Sequence, residues 1–231
     1  MPSATIATIE AIAMPIPLAK PIASALGHYR HVDCVNVLVH TEQGPTGHGL
    51  SLGLGGAASA AIVAYIDAEL APLAIGQDGL APESLWERLW GPNKARMRGG
   101  LGVWALSAID IACWDIVAKT AGLPLHRLLG GYRNPVPVYG SGGWLNLTDE
   151  ELVAECEAFA AKGIGAFKFK IGSDRDEERT ALLRRAMGDD FVLFADANQR
   201  YNVREAVEGI SDAGRIRCGV AGGAGSGRFG S

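Results

Sequence analysis

Residues 148–198 read TDEELVAECEAFAAKGIGAFKFKIGSDRDEERTALLRRAMGDDFVLFADAN, and the fold turns on this stretch. Thr148, with Glu151 three residues on, makes a capping box and predicts a helix over 148–162. Alternation over 166–171 predicts a strand, 175–187 reads as a helix, and the apolar run 191–195 reads as a second strand. A further helix is expected over 203–210, and a short strand at 136–139 would open the series. Strand and helix alternating across short connections argue for parallel βαβ units. A barrel and a doubly wound sheet satisfy that rhythm equally.

Upstream the pattern differs. Residues 5–13, 33–41 and 46–51 read as strands of a small antiparallel meander, with Glu42-Gln43-Gly44 as a turn and 18–31 as a loop. Helical spacing follows over 57–70, which Pro72 is expected to end, and over 82–89. The strongest helix is 102–120, where Trp104, Ile111, Trp114 and Val117 recur at helical spacing before Gly122 and Pro124 stop it. The last 18 residues, 214–231, hold seven glycines and no acidic residue, and they read as a disordered tail.

With 231 residues the chain is long enough for one or two domains. Its 48% hydrophobic and 20% charged residues are an ordinary globular composition, and a net charge of −4 gives no basic patch for nucleic acid. No apolar run reaches the ~20 residues needed to span a membrane. The N-terminus has no basic segment before its apolar part, so neither a signal nor a transit peptide is expected and the protein is read as cytoplasmic. Cys34, Cys113, Cys156 and Cys218 lie far apart and read as reduced structural thiols. The glycines of 222–227 only imitate a phosphate loop, because Arg228 and Phe229 stand where Lys and Ser/Thr are required.

Two short motifs carry chemistry. In Phe167-Lys168-Phe169-Lys170 the i, i+2 spacing puts both ammonium groups on one strand face and both phenyl rings on the other. Repulsion between like charges favours a neutral amine, the form that accepts a proton. The plain alternative is a solvated strand face. In Asp196-Ala197-Asn198 the i, i+2 spacing again puts both side chains on one face, and a carboxylate stands at the end of a predicted parallel strand, where barrel enzymes place catalytic groups and metal ligands. A hard cation such as Mg²⁺ would suit it, although one carboxylate is too few. The alternative there is an Asx-type cap.

The helix from Ala105-Leu106-Ser107-Ala108-Ile109-Asp110 to Ile111-Ala112-Cys113-Trp114-Asp115 adds specificity. With its continuation through Pro124-Leu125 to Leu128-Leu129-Gly130-Gly131, it resembles the mandelate racemase/muconate-lactonizing branch of the enolase superfamily. The resemblance runs from about residue 5 to 213. It implies an α+β capping domain over 1–130 and a modified (β/α)₈ barrel from 131, of which about three βα units fit before 213. It implies Lys170 as the base that removes the proton α to a carboxylate and Lys168 as its electrostatic partner. Asp196 would be the first Mg²⁺ ligand, and Asn198 and Ser141 would touch a small carboxylate substrate such as a hydroxy acid or acid sugar. The loops at 18–31 and 50–56 resemble those that choose the substrate, and a homo-oligomer is expected.

The implied reaction is that of a racemase or acid-sugar dehydratase, with a cycloisomerase or dipeptide epimerase as the alternative. The further acidic ligands of that family are not found, so the chain is expected to be inactive as written. A non-catalytic fragment that pairs with full-length homologues is the rival from another class. One choice of codons for 219–225, read one base later, spells the family's Trp-Leu-Glu-Glu-Pro, so the tail is expected to be a frameshift product.

Overall fold

The structure is a computed structural model that describes residues 4–54, 58–96, 98–133, 135–206 and 218–220. The chain divides into two compact units, residues 1–19 with 30–134, and residues 20–29 with 135–231.

A three-stranded sheet in the order β1-β2-β3 is formed by β1 (Ile6–Ser24), β2 (Gly27–Thr41) and β3 (Gly47–Leu54), and it belongs to the first unit except for residues 20–29 at the β1–β2 turn. The strands β2 and β3 are antiparallel, with Val37 opposite Gly49 and Val39 opposite Gly47. The loop expected over 18–31 is instead the end of one strand and the start of the next, turning at Ala25-Leu26. Prolines would normally argue against a strand there. Pro15, Pro17 and Pro21 share one parity, so their missing N–H groups all fall on one side of an edge strand, where no ladder bond is lost.

Helices α1 (Ala58–Tyr65), α2 (Ala71–Ala74), α3 (Pro82–Asn93), α4 (Leu101–Ala121) and α5 (Leu125–Leu128) follow, with a π-helical turn at Ile66–Leu70 between α1 and α2. Pro72 does not end the first helical stretch. It sits in the opening turn of α2, where a missing N–H costs nothing. The helix α4 ends as expected at Gly122, which is left-handed at φ 65°. It is the one helix among the described residues long and apolar enough to cross a membrane. Its Asp110 and Asp115 interrupt that run, and Ala105, Leu106, Ile109, Ala112 and Ile116 face a core shared with Val35, Val37 and Val39. Contact between α4 and β3 is set by two glycines. A Cβ on Gly49 would lie 1.8 Å from the Ala108 carbonyl oxygen, and one on Gly47 would lie 2.1 Å from that of Ala112.

The second unit carries a parallel sheet in the order β4-β5-β6-β7: β4 (Gly140–Ser141), β5 (Ala166–Lys170), β6 (Val192–Asp196) and β7 (Cys218–Val220). The strand expected at 136–139 is found only at Gly140–Ser141, since Pro135 and Pro137 cannot donate to a ladder. Helices α6 (Asp149–Ala160) and α7 (Asp176–Met187) join the strands, and residues 203–206 begin another helix. The helix α6 carries the expected capping box between Thr148 and Glu151. Phe167, Phe169, Leu193 and Ala195 turn to one face of the sheet and bury against Leu152, Cys156 and Leu183. The tail is not structureless throughout: Leu193, Phe194 and Ala195 of β6 pair with Cys218, Gly219 and Val220. Residues 207–217 and 221–231, which carry the rest of the tail and the imitation phosphate loop, lie outside the described residues.

Candidate functional site

With the phenyl rings of Phe167 and Phe169 in the core, alternation sends Lys168 and Lys170 to the opposite face of β5. Parallel register then sets their neighbours. Ser141 pairs with Lys168 and Asp196 pairs with Lys170, so all four side chains stand on the same face. Both lysines converge on one oxygen. Nζ of Lys170 donates to Oδ2 of Asp196 at 2.7 Å, and Nζ of Lys168 lies 3.5 Å from the same atom. The Lys170 side chain is only 7% exposed, which makes the ion pair an internal one. The solvated strand face is thereby overturned.

Asp196 is under opposing influences. Burial pushes its carboxyl up. The hydrogen bond from Lys170, the backbone N–H of Asn198 and the charges of Lys170 and Lys168 outweigh burial and hold it below its ordinary value. The Asn198 N–H reaches Oδ1 of Asp196 at 3.0 Å, which is an Asx turn. Asn198 therefore does not follow strand alternation. It is left-handed at φ 46°, as is Gln199 at φ 62°, and two such residues in succession mark a locally strained turn. Oδ1 of Asn198 is buried and has no partner in the structure, so it remains free to accept a hydrogen bond. Ser141 is exposed on the rim beside Lys168.

Two aromatic residues belong to the site that sequence reasoning did not single out. Nζ of Lys170 lies 4.9 Å from the centre of the Trp144 ring, and Nζ of Lys168 lies 5.5 Å from that of Tyr139. A desolvated ammonium over an indole is worth about 2 kcal/mol. The only sequence signal was an aromatic on either side of the first strand of the parallel series. Trp144 follows Gly142-Gly143, and the glycines explain its placement. Gly143 is left-handed at φ 61°, and a Cβ there would come within 2.3 Å of Phe169. The chain thus turns tightly against β5, and Lys170 donates its backbone N–H to the Gly143 carbonyl at 3.0 Å.

A resident magnesium ion needs about six oxygen ligands in octahedral array. The described residues offer the Asp196 carboxylate and the Asn198 amide oxygen, and no cluster of three His, Cys, Asp or Glu is present among them. Both Asp196 oxygens are already engaged, one of them by two cations. This donor set does not by itself fit a magnesium ion. What it can do is bind an anion at two ammonium groups and move a proton at one of them.

The sequence matches the family described as mandelate racemase/muconate lactonizing enzyme, N-terminal domain, over residues 6–130, and the enolase C-terminal domain-like family over residues 151–217. It is 35% identical over 198 residues to a 3,6-anhydro-alpha-L-galactonate cycloisomerase of Streptomyces coelicolor, covering 83% of this chain and 54% of the relative. It is 33% identical over 202 residues to an L-talarate/galactarate dehydratase of Salmonella typhimurium, covering 83% and 50%. A solved racemase from Streptomyces coelicolor with bound magnesium superposes with a TM-score of 0.86 at 30% identity, covering 91% of this chain and 60% of that one. The relatives are acid-sugar dehydratases, cycloisomerases and racemases. The chain spans about half the length of the curated relatives it matches. Matched by one family model over more than half its length and by a second across the strand that carries the lysines, the chain belongs to the mandelate racemase/muconate lactonizing enzyme family of the enolase superfamily.

Proposed function

We propose that this chain carries the proton-abstracting half of an acid-sugar site. The supporting observation is the convergence of Lys170 and Lys168 on a single buried carboxylate oxygen. In this reading Lys168 holds the substrate carboxylate, and Lys170, once its ammonium has released a proton to solvent, takes the proton from the adjacent carbon as the neutral amine. The C–H electron pair moves into the carboxylate and forms an enediolate, whose charge the two lysines offset. The free Oδ1 of Asn198 accepts a substrate hydroxyl, and Ser141 meets the substrate at the rim. Transfer of the Lys170 proton to the neighbouring hydroxyl and its loss as water would complete a dehydration, and delivery of a proton from solvent to the other face of the enediolate would complete a racemisation. Expulsion of an internal ring oxygen from the neighbouring carbon, which breaks that C–O bond and lets the departing alkoxide take the proton from the Lys170 ammonium, is the cycloisomerase variant, which the 35% identical relative favours. Asp196 serves first as counter-ion to Lys170. Magnesium is part of the proposal only as the ion of the solved relative, and the described residues alone are not expected to sustain full turnover.

The test is exchange of the α-proton of galactarate in heavy water, followed by NMR. Exchange is expected with the unsubstituted chain and should fall by about 10²–10⁴ in Lys170→Ala, the usual contribution of a positioned base. Equal exchange by both proteins sinks the assignment of Lys170. Saturable magnesium binding at micromolar concentration, abolished by Asp196→Asn, would overturn the counter-ion role.

A further inference from the structure

Arg179 lies in the second turn of α7, outside the cluster of charges just described, and it is 2% exposed. A buried guanidinium is costly unless its donors are used. Nη2 donates to the carbonyl oxygens of Gly143 at 3.0 Å and Trp144 at 3.1 Å, and Nη1 reaches that of Leu147 at 3.5 Å. Its Nε has no partner. All of these acceptors are main-chain atoms of one short loop. The Gly143 oxygen is the same atom that receives the backbone N–H of Lys170. The indole carried by that loop is the one stacked on the Lys170 ammonium. A second set of bonds also holds the loop: Leu145 donates its N–H to the Ala23 carbonyl, and the Asn146 amide accepts from the Ala23 N–H and donates to the Pro21 carbonyl.

We propose that Arg179 is the positioning residue of Lys170, acting through the loop 143–147 and the Trp144 indole. Nη2 of the guanidinium draws two successive carbonyls inward while Nη1 reaches the far end of the loop at Leu147, which turns the Trp144 side chain over the ammonium and narrows the volume in which Nζ can move. Lysine at position 179 would keep the charge but has one nitrogen, and could not span the loop from Gly143 and Trp144 to Leu147 as the two terminal nitrogens of the planar guanidinium do. The inference rests on the reading of Lys170 as the base, but the contact it describes is measurable without any turnover.

The experiment is a proton–nitrogen correlation spectrum of the tryptophan indoles in the full chain, with Trp144 assigned by Trp144→Phe. In Arg179→Met the Trp144 signal is expected to move while those of Trp86, Trp90, Trp104 and Trp114 stay in place. Arg179→Lys should move it part of the way, and millimolar guanidinium should return the Arg179→Met signal toward its original position. α-Proton exchange should fall in Arg179→Met with the affinity for galactarate retained, because Lys168 is untouched. An unmoved Trp144 signal in a folded Arg179→Met protein overturns the proposal. Where all the indole signals collapse because that variant fails to fold, Lys170→Met decides. A displaced Trp144 signal supports the stacked contact, and an unmoved one overturns it. Absence of exchange in the unsubstituted chain, with the Trp144 response intact, would sink the assignment of the base and leave the clamp standing.

Discussion

Asp196 shows how one side chain is defined by its neighbours. As a residue type it is a carboxylate at the end of a strand, equally suited to a metal, a turn or a salt bridge. Its position opposite Lys170 in the parallel register, and the left-handed turn after it, commit both of its oxygens. Its folded value lies below the ordinary 3.8, so its contribution to stability is present above about that pH and is lost as the pH falls through the depressed value. Asp196→Asn removes this pH dependence. The difference in urea midpoint between the two proteins should therefore be larger at neutral pH than at about pH 3. A difference that does not change with acid would mean that the carboxylate is not held by the lysines. At this scale the sequence exposed the lysine pair and the acid. It could not expose Trp144 or Arg179, because a tryptophan after a double glycine and an arginine in a charged helix have many innocent uses.

At the scale of elements, two contacts of different kind invite comparison. The capping box of α6 is local: Thr148 accepts from the Glu151 backbone, and Glu151 accepts from that of Thr148. Its loss in Thr148→Ala should cost about 1 kcal/mol. The contact of β3 with α4 is not local, since Gly49 and Ala108 are far apart in sequence and meet with no room for a methyl group. Gly49→Ala should cost more, at about 3 kcal/mol, because the added carbon meets backbone and not a flexible side chain. Urea unfolding of both variants checks the order, and a smaller loss for Gly49→Ala would contradict the packing. The capping box was legible from four residues. The strand over 46–51 was legible, but nothing local marked Gly49 as a contact position, because only the placed helix shows what a Cβ there would meet. Likewise the end of the edge strand from residue 18, with Pro21, read as a loop, because local sequence cannot say which side of a strand lacks a neighbour.

At the scale of the whole molecule, the two units differ in how much apolar surface they bury. Among the described residues, the first core gathers eighteen buried side chains from the sheet and helices, and the second gathers seven. Local opening free energies follow buried apolar contact. Amides of α4 are therefore expected to exchange with deuterium more slowly than those of β5 and β6, as hydrogen-exchange mass spectrometry would read. Equal protection in the two units would show that the smaller core is not the weaker one. Within the smaller unit, the slowest amides should be those of Phe167 and Phe169, which sit at the centre of its core.

The sequence by itself determined most of the element types and the family. Periodicity, capping residues and the α4 signature are local patterns, and a local pattern is read along the chain. It also determined that Lys168 and Lys170 share a face, since strand geometry requires it. Only the tertiary structure decided which oxygen they share, which indole covers one of them, and that Asn198 leaves the strand to cap Asp196. Those outcomes depend on the register between strands and on the close approach made possible by Gly143. They bring together residues such as Gly143, Lys170, Arg179 and Asp196, which no spacing in the chain relates.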